Sequence, residues 1–188
     1  MDSDLELRNL LFNLNKGKTI LYPTDTVWGI GCDATDFDAV QKIYKIKKRE
    51  ETKSLIILVD SIEMLNEYVT DIPKKVIILL NQIDKPTTII YNNPKGLASN
   101  TIAIDNTIAI RVVKNKFCQS LIKEFGKPIV STSANVSGEE TPKSFNYISD
   151  EIKKNVDYIV RINEESLNNK PSTILKIMED GVIVTLRE

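Results

Sequence analysis

The sequence contains no histidine in its 188 residues. This absence excludes a Ser-His-Asp triad, a Cys-His dyad and metal ligation by histidine. Any chemistry must therefore use carboxylates, lysine, arginine, hydroxyls, backbone groups or a metal from outside the protein. The 2 cysteines, Cys32 and Cys118, form neither a disulfide framework nor a metal-binding spacing, so we expect a reducing cytoplasm.

Signals for membranes and for nucleic acid are also missing. No apolar run is long enough to span a bilayer, and no segment resembles a signal peptide, so we expect no membrane association. The net charge of -1 gives no overall electrostatic attraction to nucleic acid. There is no Walker-type loop and no dinucleotide glycine fingerprint. The length suits one domain over residues 1–188.

The apolar pattern that is present predicts alternating helices and strands. Leu7, Leu10, Leu11 and Leu14 follow the spacing of a first helix, and Asp36 or Asp38 can cap a second. Further helices are predicted from Ser61, over 73–80 and over 116–125. Strands are predicted at 19–22, 27–32, 55–59, 87–91, 101–104, 108–113, 129–131, 158–162, 172–177 and 182–187, with a hairpin turn at 180–181. This order indicates one α/β domain built on a mixed sheet.

A basic cluster follows the second predicted helix. It contains Lys42, Lys45, Lys47, Lys48, Arg49 and Lys53. The cluster can be a solvated helix face or a binding site for an anion. In the second case Arg49 can clamp a phosphate through two hydrogen bonds, whereas a lysine acts as a movable point charge.

A loop of small polar residues, 131–138, comes directly after an apolar strand, which is where α/β sheets bind ligands. Its serines and Asn135 would let backbone and side chains approach a phosphate or an adenosine closely. The alternative is a polar loop that only caps the next helix.

Three further features point to a small polar substrate. The turn after Tyr22 presents two threonines and Asp25, which can orient a substrate or can simply bind its own backbone. Arg111 lies in an apolar stretch and is costly to bury unless it meets an anion. That anion can be a substrate carboxylate or an internal partner, or the side chain can face outward. Pro171, Ser172 and Thr173 repeat the polar theme at the start of another strand.

Taken together and in this order, these segments resemble the YrdC/TsaC family of threonylcarbamoyl-AMP synthases. The likeness covers nearly the whole chain, and several ordered motifs are more specific than any one alone. The matching stretches are Tyr22-Pro23-Thr24-Asp25-Thr26 with Gly29, Lys47-x-Arg49 before Lys53-Ser54-Leu55, Arg111, the loop Ser131 to Gly138, Pro171-Ser172-Thr173, and Arg187.

The resemblance implies a twisted, largely open α/β sheet with a positively lined cavity. It implies a reaction of L-threonine, bicarbonate or CO2, and ATP, in which a threonine carbamate attacks the α-phosphate and expels pyrophosphate. Partner proteins would then transfer the threonylcarbamoyl group to tRNA, and the chain itself could contact tRNA. Such chemistry depends mainly on positioning and charge neutralisation, which suits a chain without histidine.

The resemblance also implies roles for individual residues. The expected threonine contacts are Thr26, Arg111, Ser131 and Ser172. The expected ATP contacts are Arg49, Lys53, Thr107, Ser133, Asn135, Thr141 and Arg187. Lys47 and Arg49 are the expected catalytic residues, and Mg2+ is expected with the triphosphate, although no protein ligand for it is evident.

The sequence departs from the family pattern at several positions. Glu50 replaces a usual proline beside Arg49, residues 84–88 replace a usual Pro-Gly-Pro-x-Thr, and Leu58 replaces a polar residue of some relatives. The chain stops directly after Arg187 and Glu188, so we expect the extra C-terminal domain of longer relatives to be absent. The main alternative function is a non-catalytic module that binds double-stranded RNA or tRNA. Another is a carbamoyl-transfer domain normally embedded in a larger maturation protein, against which the freestanding length argues.

Overall fold

The computed structural model describes residues 3–51, 55–161, 171–178 and 181–188. The α-helices in this part of the chain are α1 (Ser3–Asn15), α2 (Phe37–Lys47), α3 (Ile62–Tyr68), α4 (Lys74–Gln82), α5 (Lys116–Phe125) and α6 (Asp150–Asn155). Short 3-10 helices span Ser99–Thr101 and Phe145–Tyr147. None of the described helices is long and apolar enough to cross a membrane.

The described strands form a mixed, open sheet in the order β7-β1-β2-β6-β3-β5-β4-β8-β9. Three neighbouring pairs are parallel: β1 with β7, β3 with β5, and β4 with β8. This arrangement confirms the predicted α/β class. The strand bounds are β1 (Ile20–Pro23), β2 (Trp28–Asp33), β3 (Ile56–Val59), β4 (Thr87–Asn92), β5 (Thr107–Val112), β6 (Ile129–Ser133), β7 (Tyr158–Ile159), β8 (Thr173–Ile177) and β9 (Ile183–Arg187).

Local signals fix both ends of α2. The Asp36 carboxylate accepts hydrogen bonds from the backbone N–H groups of Asp38 and Ala39, at 2.9 and 3.1 Å, so Asp36 and not Asp38 is the cap. At the other end Lys48 adopts a left-handed conformation with φ 48°, which turns the chain out of the helix. Lys47 is therefore the last helical residue, and Arg49 follows on the exit from the helix.

Two strand predictions need correction. Residues 101–104 form no strand, because the backbone N–H and hydroxyl of Thr101 both bond to the carbonyl of Ala98 and close a 3-10 turn. Ile104 beyond it is 90% exposed, on a tight turn into β5. The strand predicted over 19–22 does not end before Pro23, because Pro23 is the last residue of β1 and pairs with Trp28. The predicted hairpin is present as antiparallel β8 and β9, with Gly181 at φ 77°, while Asp180 lies outside the described residues.

Candidate active site

A cavity of about 340 Å³ opens over the middle of the sheet. Its walls come from the β1–β2 turn, from β2 to β6, from the segment after α2, and from β8 and β9. Of the described residues that line it, Arg49, Arg111 and Arg187 are cationic and none is acidic. Thr24, Thr26, Ser131, Ser133, Thr141 and Ser172 add hydroxyl groups, and Ile56, Ile90, Ala109 and Ile174 form an apolar floor.

The register of the strands explains why this floor lies on one face. Ile56 of β3 pairs with Ser131 of β6 on one side and with Ala109 of β5 on the other. Ala109 in turn pairs with Ile90 of β4. Directly paired residues point to the same side of a sheet. The side chains of Ser131, Ile56, Ala109 and Ile90 therefore form a row across β6, β3, β5 and β4. The cavity therefore combines residues that are far apart in sequence.

The β1–β2 turn is held by Thr24. Its hydroxyl donates to the carbonyl of Val27 at 2.8 Å and accepts from the backbone N–H groups of Thr26 and Val27. The turn thus binds its own backbone, as one of the two interpretations predicted. The Thr26 hydroxyl lies 3.0 Å from that of Thr24, and both residues line the cavity. The same turn therefore stabilises itself and presents hydroxyls to a ligand.

Lys47, a predicted catalytic residue, is bonded to the loop after β6. Its side chain is buried, and its Nζ donates to the carbonyls of Ser133 and Asn135 at 2.6 and 2.7 Å and to Oδ1 of Asn135 at 3.3 Å. Burial, and then the nearby Arg49 guanidinium, lower the pKa of Lys47 to about 7. Lys47 is not among the residues that line the cavity. It holds the polar loop in place and does not present a movable charge to a phosphate.

The loop after β6 is a built structure and not a helix cap. Asn135 donates through Nδ2 to the carbonyl of Glu139 at 2.7 Å and accepts from the hydroxyl of Ser133. The N–H of Ser137 donates to the carbonyl of Lys47 at 2.8 Å. These bonds fasten the loop to the end of α2. Because its amide group is used in this way, Asn135 is not on the cavity wall, whereas Ser133 is.

Ser172 and Arg187 come together at the far side of the cavity. Nε and Nη2 of Arg187 donate to the carbonyl of Ser172, at 3.1 and 2.8 Å. The hydroxyl of buried Ser172 lies 2.8 Å from that of Thr88. The contact between the two hydroxyls also holds the start of β4, where the sequence departs from the family pattern. A predicted threonine contact and a predicted ATP contact are thus direct neighbours.

Arg111 both lines the cavity and pairs internally. Its Nη2 lies 2.8 Å from Oδ1 of Asp25, and the two side chains are only 4% and 11% exposed. Leu58, buried on β3, is its neighbour in the parallel pairing of β3 with β5. An internal ion pair was one of the interpretations of Arg111, but the sequence did not identify Asp25 as the partner, since nothing local connects the β1–β2 turn to β5. The cost of burying Arg111 was a signal that some anion had to be nearby.

The remaining predicted site residues are placed as follows. Thr107 does not line the cavity, because its hydroxyl and N–H bond to Oδ1 of Asp105, at 2.6 and 3.3 Å, at the start of β5. Glu50 is exposed and outside the cavity, so its charge does not enter the site. Lys53 lies outside the described residues. Thr141, a predicted ATP contact, lines the cavity.

A second, larger groove of about 970 Å³ runs along the β7 edge. Trp28, Phe145 and Tyr158 contribute to its walls, and none of the predicted site residues that the structure describes lines it. Volume alone would favour this groove, but its charges are balanced, with Glu6 and Asp157 against Lys153 and Arg161, and no serine or threonine is among the described residues that line it. The chemistry of the lining therefore selects the smaller cavity as the candidate active site.

The cavity offers no built site for a metal ion. Within the described ranges, no three Cys, Asp or Glu side chains are grouped so that they could hold a metal. The cationic and hydroxyl lining is also the wrong donor set for Mg2+, which prefers carboxylate and phosphate oxygens. It suits an anionic ligand such as a phosphate or a carboxylate.

The chain is similar to known proteins over most of its length. The family model Sua5/YciO/YrdC, described as "Telomere recombination", matches residues 13–188. A protein of Pseudoalteromonas translucida named threonylcarbamoyl-AMP synthase is 37% identical over 178 residues, covering 90% of this chain and 91% of its own. A protein of Vibrio parahaemolyticus with the same name is 32% identical over 164 residues, covering 86% and 88%.

Two solved structures are similar over nearly the whole chain. E. coli YciO has a TM-score of 0.84 at 25% identity, covering 100% of this chain and 90% of that one. P. abyssi Sua5 complexed with L-threonine has a TM-score of 0.87 at 26% identity, covering 96% of this chain. This chain spans 53% of that Sua5 chain, so the likeness concerns about half of the longer protein.

Proposed function

The chain belongs to the Sua5/YciO/YrdC family, and from this premise we propose that it is a threonylcarbamoyl-AMP synthase. The amine of L-threonine attacks bicarbonate or CO2 and becomes a carbamate. A carbamate oxygen then bonds to the α-phosphorus of ATP while the bond from that phosphorus to the bridging oxygen of pyrophosphate breaks. From bicarbonate, the products are threonylcarbamoyl-AMP, pyrophosphate and water. Partner proteins would then pass the threonylcarbamoyl group to tRNA.

The observation that carries this proposal is the charge of the cavity. Three arginines and no carboxylate line it among the described residues. The reaction brings together a carboxylate, a carbamate and a triphosphate, and these anions repel one another unless fixed cations lie between them. An arginine fork neutralises charge and sets orientation at once, through paired N–H donors. Positioning of this kind requires no histidine.

Within the cavity we assign the lining residues to the two substrates. Thr26, Arg111, Ser131 and Ser172 are proposed to bind L-threonine. Arg49, Ser133, Thr141 and Arg187 are proposed to bind ATP, with Arg49 neutralising the phosphate under attack. This assignment is supported by the fact that all eight residues line one cavity. The predicted ATP contacts of Thr107 and Asn135 have no such support, because both side chains form hydrogen bonds outside the cavity. We propose that Lys47 acts indirectly, by holding the loop that carries Ser133.

A divalent cation enters this proposal only with the nucleotide. Since the described lining has no carboxylate, we propose that Mg2+ would be held by the phosphate oxygens of ATP and not by the protein. Its chemistry there would be to neutralise phosphate charge. The residues of this chain would bind and orient the substrates around it.

The proposed function is tested by pyrophosphate release. We expect release from ATP to require both L-threonine and bicarbonate, and mass spectrometry to detect threonylcarbamoyl-AMP. Omission of either substrate is the control. The RNA-binding alternative, which the synthase-named relatives do not support, predicts the opposite pattern: tight, salt-sensitive tRNA binding and no pyrophosphate with all three substrates present. That result would overturn the proposal.

A further inference from the structure

Asp25 forms an ion pair with Arg111 but does not itself line the cavity. Arg111 is among the residues that line it. Oδ1 of Asp25 is 2.8 Å from Nη2 of Arg111. The two residues belong to different parts of the sheet, the β1–β2 turn and β5. Their side chains are nonetheless packed together with almost no exposure to solvent, 11% and 4%.

The surroundings of this pair leave Asp25 as its counter-charge. Cys118 and Tyr22 interact electrostatically with both members, and Arg187 is a second cation that interacts with Arg111. Burial, and then Asp25, raise the pKa of Cys118 to about 12. Burial also raises the pKa of Tyr22. Cys118 and Tyr22 are therefore neutral at physiological pH, and the positive charge of Arg111 is balanced by Asp25.

The pair is also incomplete in a way that points to a ligand. Nε of Arg111 and Oδ1 of Asp25 are both buried, and neither has a hydrogen-bond partner among the described residues, so the 2.8 Å contact between the two side chains is an ion pair without an aligned hydrogen bond. A buried, unpaired N–H of a charged group is costly and is normally satisfied. The guanidinium is planar and rigid, so the close contact of one terminal nitrogen with the Asp25 carboxylate restricts where the whole group can lie. A second carboxylate from the cavity can then accept from the nitrogens that Asp25 does not engage.

We propose that Asp25 is a positioning residue that orients the Arg111 guanidinium for the carboxylate of the amino-acid substrate. This inference rests on the proposed function, because it takes L-threonine as the ligand of Arg111. Asp25 does not touch the substrate. It acts through Arg111, by compensating the buried charge before the substrate arrives and by restricting where the guanidinium can lie. Its loss should therefore weaken threonine binding much more than ATP binding.

The test is the substitution Asp25→Asn, which keeps the size of the side chain and removes its charge. We expect the KM for L-threonine to rise about tenfold, while the KM for ATP changes less than twofold. Discrimination between L-threonine and L-threoninamide, which lacks the carboxylate, should also decrease, as measured by calorimetric binding. An unchanged threonine KM, or an equal rise of both KM values, would overturn the inference.

Two further variants separate positioning from stability. Asp33→Asn is the matched control, since Asp33 is also a buried acid, pairs with Lys127 at 2.7 Å and does not line the cavity. It should lower the melting temperature without raising the threonine KM. In the background of Arg111→Gln, Asp25→Asn should cause no further rise of the threonine KM, because the group that it orients is gone. A further rise there would contradict an action through Arg111.

If Asp25→Asn does not fold, Asp25→Glu serves instead, since it retains the charge but moves it by one methylene. A folded Asp25→Glu protein with a raised threonine KM supports positioning, and one with a normal KM contradicts it. Failure of the proposed function is distinguishable from failure of this inference. In the first case the unmodified protein releases no threonine-dependent pyrophosphate. In the second case the unmodified protein releases threonine-dependent pyrophosphate, and the Asp25→Asn variant has the same KM for L-threonine.

Discussion

The three cavity arginines are held by the protein in different ways. Arg111 is paired with the Asp25 carboxylate, and Arg187 donates to the carbonyl of Ser172. Arg49 is half-buried after the end of α2, and burial lowers its pKa, although a guanidinium remains charged at any physiological pH. The carboxylate compensates Arg111 before any ligand arrives. Arg187 donates to a backbone carbonyl and not to a carboxylate, so a bound phosphate can gain more of its charge.

The substitution Arg49→Ala should lower kcat/KM for ATP by on the order of 100-fold, the usual loss when one donor to a developing negative charge is removed. The measurement is the initial rate of pyrophosphate release at varied ATP concentration. Lys45→Ala is the control, because Lys45 is an exposed cation in the last turn of the same helix. Turnover by Arg49→Ala at the unmodified rate would remove Arg49 from the phosphate site.

Gly29 lies in the cavity wall, next to the proposed threonine contact Ser131. A Cβ at this position would lie 3.1 Å from Oγ of Ser131 and 3.2 Å from Cγ2 of Thr24. These contacts are tight but can be relieved by small shifts, and the shifted groups line the cavity. We therefore expect Gly29→Ala to fold, with a threonine KM raised several-fold and an ATP KM that changes little.

The neighbouring glycine in β2 is a matched contrast for that prediction. A Cβ at Gly31 would approach the backbone carbonyl of Val130 to 2.6 Å and Cε1 of Tyr22 to 2.8 Å. Backbone cannot yield easily, so Gly31→Ala should destabilise the protein, by roughly 1–3 kcal/mol as overpacking does. Urea unfolding measures both variants. A Gly29→Ala protein with normal threonine kinetics would contradict the proposed place of the substrate.

At the scale of elements, the end of α2 and the loop after β6 behave as one unit. Lys47 bonds to two loop carbonyls, and the loop returns a bond from Ser137 N–H to the Lys47 carbonyl. Burial lowers the pKa of Lys47 from 10.5 to about 7. Between these values the unfolded chain binds a proton that the folded chain does not. The contribution of Lys47 to the free energy of unfolding therefore rises with pH across this window.

This effect can be isolated by comparison with Lys47→Met, which cannot titrate. The difference in unfolding free energy, unmodified protein minus variant, should increase from pH 7 to pH 9.5 in urea titrations. Groups that titrate in both proteins, such as the buried tyrosines, cancel in the difference. A difference that stays flat or falls over this range would show that Lys47 is not buried as a charge-sensitive anchor.

Elements with strong local signals were predictable from the sequence. Helix α5 was predicted over 116–125, and the structure has it at Lys116–Phe125, because Asn115 caps its start and Gly126 takes φ 72° after its end. The site was predictable as a set of segments but not as a set of contacts. The helical spacing of Lys47 with the apolar residues of α2 indicates locally that its side chain points inward. Nothing local shows that its ammonium meets the loop after β6, or that Asp25 meets Arg111. Such pairings depend on strand order, which brings distant residues together.

At the scale of the whole molecule, the cavity is lined by strands that are not all neighbours in the sheet. The β1–β2 turn and β6 lie on one side, and β8 with the edge strand β9 lies on the other. Strand β9 pairs with β8 alone, and most of its residues are exposed. A ligand that contacts Arg187 as well as Arg49 would link this edge to the centre of the sheet. Ligand binding should therefore stabilise the edge more than other regions.

We expect an ATP analogue that cannot be cleaved between the α- and β-phosphates to raise the melting temperature in a concentration-dependent way. At a hundred times its Kd the stabilisation should be about 2.7 kcal/mol, or roughly 5–10 °C for a protein of this size. Hydrogen exchange should slow at the backbone amides of β8 and β9. Arg187→Ala should lose that local protection, whereas Lys176→Ala, on β8 but outside the cavity lining, should keep it. A shift in melting temperature without protection at this edge would place the nucleotide elsewhere, because binding protects the segments that it holds.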